Sequence, residues 1–363
     1  MKVGVLGGGQ LGRMLALAGY PLGLRFRFLE PGENPPVTGL GQVVRGAYDD
    51  VDAALAFADG LDVVTYEFEN VPVSTARALQ GRLSVHPAPA ALEMAQDRLA
   101  EKEGFAALGI PTTPFRPVDS RADLDAALAA LGAPAVLKTR RLGYDGKGQF
   151  VIRDSGQAAA AWEGLGGRLL ILEGFVPFRR ELSILGVRGT TGETRFYPLV
   201  ETVHGDGILR RATCPAPGVS AQTQAQAEAH VHRVMERLDY VGVIAIELFD
   251  TSDGLLANEL APRVHNSGHW TQDGAECSQF ENHLRAVCGL PLGCTAVRGH
   301  AAMVNLLGSL PPVDRLLAVA GAHVHLYDKA PRPGRKLGHV NVVGTDATTV
   351  GESVTDIETL LVS

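Results

Sequence analysis

The chain opens on a short run of β-branched and large apolar residues, KVGVL (2–6), then G-G-G-Q-L-G, then R-M-L-A-L-A with apolar positions at helical spacing. That order predicts strand, glycine turn, helix. A second apolar run, LRFRFLEP, ends at Glu30 and Pro31, and a third, DVVTYEFE, ends in two acidic residues before Pro72. Strands alternating with Ala-rich helices such as VDAALAFADG predict a parallel, doubly wound sheet over about the first 95 residues. The segment DRLAEKEGFAALGIPTTP reads as a helix stopped by Gly109 and followed by prolines, where a second domain begins. PAVLKT and QFVIR are joined by a glycine-rich loop with no room for a crossover helix, so they pair antiparallel. Further strands LLILEGFV and RELSILGV, the helix AQTQAQAEAHVHRVMERL, and the strands VIAIELF and LLANEL follow. Beyond about residue 295 lie short strands, one acidic helix and a basic, proline-interrupted stretch, YDKAPRPGRKLGHVN. The fold class is thus α/β at the start and α+β after it, with no internal repeat and no low-complexity linker.

At 363 residues the chain exceeds one core, and roughly 150 residues per domain gives two or three. Apolar residues at 45%, charged residues at 20% and a mean hydropathy of +0.07 exclude a disordered tail and a membrane bundle. The net charge of -7 disfavours nucleic acid, whose binding by counterion release needs clustered positive charge. Cys214, Cys277, Cys288 and Cys294 contain no C-x-x-C pair and are too sparse for a disulfide framework, which fits a reducing cytoplasm. The N-terminal stretch could pass for a signal peptide, but Gln10 and Arg13 interrupt it, and it reads as folded structure.

Gly7, Gly9 and Gly12 satisfy G-x-G-x-x-G between strand and helix, with Glu30 near the distance of a ribose-binding acid. Alone, this predicts a nicotinamide dehydrogenase. Its physical content is narrower: backbone N–H groups at a positive helix end favour phosphate or another anion. A tight turn with no ligand satisfies the same pattern.

Glu247 in VIAIELF and Glu259 in LLANEL flank D-T-S-D-G, and a hairpin symmetric about Asp253 sets them directly opposite. Their Cβ atoms would lie roughly 4.5–5.5 Å apart, a like-charge pairing that destabilises a sheet unless compensated. Mg²⁺ is the natural compensation, being held by one or two carboxylates plus substrate phosphates; a register shift that points both to solvent is the bland alternative. Next to this pair, N-E-L-A-P-R-V-H-N-S-G-H packs Asn258, Arg263, His265, Asn266 and His269 into a dozen residues. Arg263 could orient a carbonate or transferring phosphoryl group through paired hydrogen bonds.

The tip R-L-G-Y-D-G-K-G-Q has three glycines and a lysine but not the spacing or following helix of a P-loop. A glycine loop between strands can fold over a polyphosphate, donate backbone N–H groups and exclude water. Lys138 stands at its base, where ordinary snorkelling at a strand end competes with a phosphate contact. Residues 173–176, E-G-F-V, form a strand end that could read an adenine edge, with Glu181 available to ribose hydroxyls.

Four runs together, G-G-G-Q-L-G-R-M, G-Y-D-G-K-G-Q, N-E-L-A-P-R-V-H-N-S-G-H-W-T and Y-D-K-A-P-R-P-G-R-K-L-G-H, resemble the N5-carboxyaminoimidazole ribonucleotide synthase family of ATP-grasp carboxylases over nearly the whole chain. The resemblance implies three domains: a Rossmann-like one (1–97) that does not bind NAD, an ATP-grasp domain (98–295) with a lid subdomain (about 114–172), and a small β-rich C-terminal domain (296–363). It implies ATP-dependent carboxylation of 5-aminoimidazole ribonucleotide by bicarbonate through carboxyphosphate, with ADP and phosphate released, in a cytoplasmic homodimer. ATP would be held by Arg98, Lys138, the loop Gly143, Tyr144, Asp145, Gly146, Lys147, Gly148 and Gln149, then Glu173, Gly174, Phe175, Val176, Glu181, His204, Asn258 and Glu259. Mg²⁺ would sit on Glu247 and Glu259. The ribonucleotide would meet Gln10, Leu11, Glu67, Tyr144 and Asp145, its phosphate Lys329, Arg335 and Lys336, while bicarbonate would lie near Arg263, His265 and Asn266. Lys138, Tyr144, Asp145, Arg263, His265 and Asn266 would carry the chemistry.

Two departures qualify the resemblance: Lys147 stands where the family more often has Arg, losing bidentate geometry, and the C-terminal domain is compact, closing soon after DIETLL. The rivals are formate-dependent formylation of glycinamide ribonucleotide, which uses a similar acyl phosphate, the NAD oxidoreductase, and a non-catalytic nucleotide sensor. Gln10 and the tail P-R-P-G-R-K-L-G-H favour the aminoimidazole substrate, and the oxidoreductase leaves Glu247 and Glu259 without a purpose.

Overall fold

The computed structural model describes residues 1–143 and 147–362. Its first sheet is five-stranded and parallel, in the order Gln42–Val44, Arg25–Leu29, Lys2–Leu6, Val63–Tyr66, Ser84–Val85. The opening apolar run is therefore the central strand, and the segment that imitates a signal peptide is that strand plus the helix Gln10–Gly19. The strand Val63–Tyr66 is buried throughout, as befits a parallel sheet covered on both faces.

The helix Arg98–Ala107 follows, and its chain reverses at Gly109, whose φ of +64° is one that favours glycine. A four-stranded antiparallel sheet comes next, ordered Phe115–Val118, Leu170–Gly174, Ala135–Thr139, Gln149–Ile152, with the helices Arg121–Leu131 and Ala158–Leu165. The expected hairpin pairs Ala135 with Ile152 and Lys138 with Gln149. This small layer has its own core, with Val118, Leu124, Leu137, Ile152 and Leu172 in one cluster.

The largest sheet has nine strands. It runs Gly254–Ala261, Gly242–Thr251, Arg180–Arg188, Val200–Gly205, Ile208–Cys214, His300–Leu307, Lys336–Gly344, Ala322–Leu326, with Thr194–Phe196 paired beside Arg180–Arg188. The C-terminal segment is β-rich as expected, and its strands join this sheet edge to edge where Cys214 pairs with Ala301. Val3, Val243, Met303 and Tyr327 consequently share one hydrophobic cluster that crosses from the first sheet to the last strands.

The hairpin Gly242–Ala261 opposes Glu247 and Glu259, but not by simple symmetry. Its turn is the two residues Ser252 and Asp253, because Thr251 pairs with Gly254 and Leu248 with Ala257. A regular ladder would then set Glu247 against Asn258. A bulge intervenes, and Glu247 meets Glu259. Two residues on one strand thus oppose one on the other, turning Asn258 and Glu259 to the same side where alternation would separate them.

Candidate active site

The glycine turn does present its amides to anions, but the anions are the protein's own. Gly9 N donates to Glu67 Oε1 at 2.5 Å and Gly12 N to Glu67 Oε2 at 2.6 Å. Burial pushes the Glu67 carboxyl up, against the pull of the Gly12 and Gly9 amides. Glu30, placed where a ribose acid would sit, instead accepts from Gly8 N at 2.8 Å and from the Tyr48 hydroxyl at 2.7 Å. A Cβ on Gly7 would lie 2.3 Å from Glu67 Cγ. The motif is there because two carboxylates pack against bare backbone, so the glycine amides a dinucleotide phosphate would use are already taken.

Glu67 ends one strand of the first sheet, and two residues on, Glu69 pairs with Arg263 from the loop after the Glu259 strand. Burial alone would raise Glu69, but Arg263 beside it holds the carboxyl down to about 2. Arg263 is thereby fixed, Nη1 also donating to Val264 O at 3.1 Å. His265 bonds Ser267 Oγ through Nδ1 at 2.9 Å and places Nε2 3.7 Å from Glu247 Oε1. Burial, with Arg263 nearby, drives His265 down to about 3, so its ring is neutral at pH 7. Glu247 is pushed up to about 7, first by burial and then by the facing Glu259 charge.

That donor set is hard oxygen on two crowded carboxylates, and it fits Mg²⁺. Among the described residues no group of three or more His, Cys, Asp and Glu side chains could hold a metal. Arg98 Nη1 approaches Glu259 Oε2 at 3.1 Å.

On the opposite wall, Lys138 Nζ lies 3.0 Å from Glu173 Oε2, and the fully buried Lys102 3.5 Å from the same atom. Burial would raise Glu173, but Lys138 and Lys102 hold it down to about 2. His204 Nδ1 bonds Glu181, and the rings of Phe178 and Phe249 stack at 4.7 Å. Across the C-terminal strands, Lys329 Nζ bonds Gln10 Oε1, and burial lowers it to about 8.

These walls enclose one cavity of about 640 Å³, which gathers residues from the lid-side and nine-stranded sheets and from the helix and loop at the strand ends of the first. Of the residues singled out by sequence, it is lined by Gln10, Leu11, Glu67, Arg98, Lys138, Gln149, Glu173 to Val176, Glu181, His204, Glu247, Asn258, Glu259, Arg263, His265, Asn266, His269 and Lys336. Lys329 reaches it through Gln10, while Arg335 lies outside the lining beside Lys336, half-exposed, with Nη1 on Ala330 O at 3.1 Å. Gly143, Lys147 and Gly148 do not line it, Gly143 and Gly148 packing instead against Thr139 next to Lys138, and the expectations placed on Tyr144, Asp145 and Gly146 lie outside the described residues. Sequence reasoning missed Glu69, Lys102 and Asn305. Glu69 was visible as the second acid after its strand, and Lys102 as a second cation one helical turn from Arg98; Asn305 is the lone polar residue in an apolar run.

Residues 103–280 match the ATP-grasp domain model, residues 1–96 the ribonucleotide synthetase preATP-grasp domain, and residues 301–353 the phosphoribosylaminoimidazole carboxylase C-terminal domain. The N5-carboxyaminoimidazole ribonucleotide synthase of Pseudomonas aeruginosa is 53% identical over 361 residues, covering 99% of both chains. The chain belongs to the N5-carboxyaminoimidazole ribonucleotide synthase family. Among solved family structures, the synthetase from Thermus thermophilus superposes with a TM-score of 0.96 at 57% identity, over 99% of both chains. The Aspergillus clavatus synthase solved with ADP and 5-aminoimidazole ribonucleotide superposes with a TM-score of 0.91 at 32% identity, over 99% of this chain and 97% of that one. The family resemblance and its ATP-grasp fold are borne out, and the dehydrogenase reading of the glycine turn is not.

Proposed function

We propose that this cleft binds ATP, bicarbonate and 5-aminoimidazole ribonucleotide together and joins them by the residues described. The activity is the ATP-dependent carboxylation of 5-aminoimidazole ribonucleotide to N5-carboxyaminoimidazole ribonucleotide, a ligation that forms a C–N bond. One observation supports it above the others: a single cavity is lined by Lys138 and Glu173 to Val176, an opposed carboxylate pair and a half-buried arginine, with Lys336 at its C-terminal side.

Glu173 to Val176 read the adenine, Glu181 the ribose, and Arg98, Lys138, His204, Asn258 and the loop Gly143 to Gln149 the phosphates. Glu247 and Glu259 would hold Mg²⁺, which when bound neutralises phosphate charge in the site. Bicarbonate is a poor electrophile, so one of its oxygens takes the γ-phosphoryl group, giving carboxyphosphate and ADP. Lys138 stabilises the charge on the transferring oxygens. Arg263, steadied by Glu69, orients the carboxyl unit, with His265 as a neutral hydrogen-bonding ring and Asn266 beside it. Gln10, Leu11 and Glu67 position the aminoimidazole, and Lys329, Arg335 and Lys336 attract its phosphate. The amine attacks the carbon, directly or after CO₂ is freed, phosphate departs, and that phosphate takes the amine proton. Tyr144 and Asp145, with the loop closed, keep water from the acyl phosphate.

In this reading the chain divides at 1–97, 98–295 with a lid at 114–172, and 296–363, and works as a cytoplasmic homodimer. Four unpaired cysteines support a reducing compartment, and no helix of the described residues is long and apolar enough to cross a membrane. The test is phosphate release from ATP with Mg²⁺ and bicarbonate, with and without 5-aminoimidazole ribonucleotide, in wild type and Glu259→Gln. Release that requires the ribonucleotide and drops at least a hundredfold in the variant is expected; release indifferent to the ribonucleotide overturns the assignment.

A further inference from the structure

Asn305 sits in the strand His300–Leu307, whose other residues are almost all apolar and buried, and is itself 2% exposed. An amide there is costly unless fully bonded. Its Nδ2 donates to Leu209 O at 2.8 Å and to Asn266 Oδ1 at 2.7 Å, and its Oδ1 accepts from Asn266 Nδ2 at 3.2 Å. Leu209 O is a carbonyl and can only accept, so the Asn305 atom facing it must be the NH₂. That choice fixes the other end of Asn305 as oxygen, and the oxygen in turn fixes which end of Asn266 faces it. Turning either amide over would set nitrogen against nitrogen, oxygen against oxygen, or oxygen against the Leu209 carbonyl.

The consequence lies at Asn266. Its Oδ1 is taken by Asn305, and one Nδ2 hydrogen is taken as well. The second hydrogen has no partner among the described residues, and Asn266 lines the cleft. What the lock leaves Asn266 to offer a ligand is an unused N–H, its oxygen being turned to Asn305.

We propose that Asn305 is a positioning residue for the anion subsite, locking Asn266 so that it donates to an oxygen of bicarbonate or of the carboxyl unit made from it. This rests on the functional reading above. Leu209 belongs to a strand of the central sheet and Asn305 to a C-terminal one, so the polarity of the subsite is set where the two segments meet. An amide free to turn would spend part of its time with oxygen toward the anion, which repels it.

The test is steady-state kinetics with bicarbonate and ATP varied separately, in wild type, Asn305→Ala, Asn305→Ser, Asn266→Ala and the double variant Asn266→Ala/Asn305→Ala, with melting temperatures alongside. Asn305→Ser is the variant that folds if alanine does not, because a hydroxyl is the smaller donor for Leu209 O. Expected is a five- to twentyfold rise in KM for bicarbonate with KM for ATP within twofold, and no further rise when Asn305→Ala is added to Asn266→Ala. An unchanged KM for bicarbonate, an equal rise for both substrates, or additive losses in the double variant would overturn the proposal. A wild-type rate indifferent to bicarbonate would instead defeat the functional reading on which it stands.

Discussion

Glu69 and Glu173 show how single side chains set the site's charge. Each is held down to about 2 against an ordinary value of 4.5, one by Arg263 and the other by Lys138 with Lys102. A carboxyl whose folded value lies below its unfolded one stabilises the fold above the unfolded value and loses that contribution as pH falls toward the folded one. Stability is therefore expected to be full at neutral pH, to decline from about pH 5 and to fall on the order of 2 kcal/mol per group by pH 2, the shift discounted because Glu69 keeps 24% of its side chain exposed. Glu69→Gln removes one such contribution and leaves Arg263 buried without its counter-charge. The variant should melt lower at pH 7, show a shallower acid decline in urea titrations between pH 5 and 3, and lose at least tenfold in kcat/KM. An acid decline identical to wild type would mean that the pair does not carry it. Residues of this kind were only partly legible. Arg263 announced itself by its neighbours in N-E-L-A-P-R, whereas Glu69 sits far from it in sequence, and only the fold of one sheet over another makes them partners.

The hairpin Gly242–Ala261 carries a conflict that the sequence did disclose. Two glutamates directly opposite one another are unfavourable, and the strands are too apolar for a register shift to make both surface residues. What the sequence did not disclose is the bulge. A symmetric turn about Asp253 and a tighter turn followed by a bulge give the same pairing of Glu247 with Glu259, and only the second turns Asn258 into the cleft beside Glu259. Turn chemistry in D-T-S-D-G permits both, since Asp253 and Gly254 each tolerate reversal. The element is thus strained for function, and relief of that strain is measurable. Glu247→Gln is expected to raise stability without Mg²⁺ by about 0.5–1 kcal/mol, read as a higher melting temperature in EDTA, while nucleotide-dependent phosphate release falls at least a hundredfold. Added Mg²⁺ with ADP should narrow the stability gap by stabilising the wild type selectively. A variant that melts lower than wild type in EDTA would mean that the pair is not in conflict.

At the scale of the molecule, the first sheet, the central sheet and the C-terminal strands share one core, while the four-stranded sheet, the lid of the proposed function, packs about a cluster of its own. Parallel and antiparallel order were legible from apolar runs and loop lengths; the continuity of the C-terminal strands with the central sheet was not, because a strand's own pattern does not say which distant strand it pairs with, as Cys214 does with Ala301. The division of cores has a dynamic consequence. A layer that shares few buried contacts with the rest can open at a cost below global unfolding. Amides of Ala135–Thr139 and Gln149–Ile152 are expected to exchange with deuterium at least tenfold faster than those of Arg180–Arg188 and Gly242–Thr251. A ligand that binds only the native fold slows every amide whose exchange needs global unfolding. A ligand that clasps the lid against the central sheet must do more, removing local opening from the lid strands before anything else changes. A non-hydrolysable ATP analogue with Mg²⁺ should therefore slow exchange chiefly in the lid strands, near Lys138 and Glu173, with adenosine giving far less because it leaves the glycine loop and Lys138 without phosphates to hold. Equal slowing across lid and central strands would mean that nucleotide stabilises the fold without closing it, and the exclusion of water from the acyl phosphate would have to come from the ribonucleotide instead.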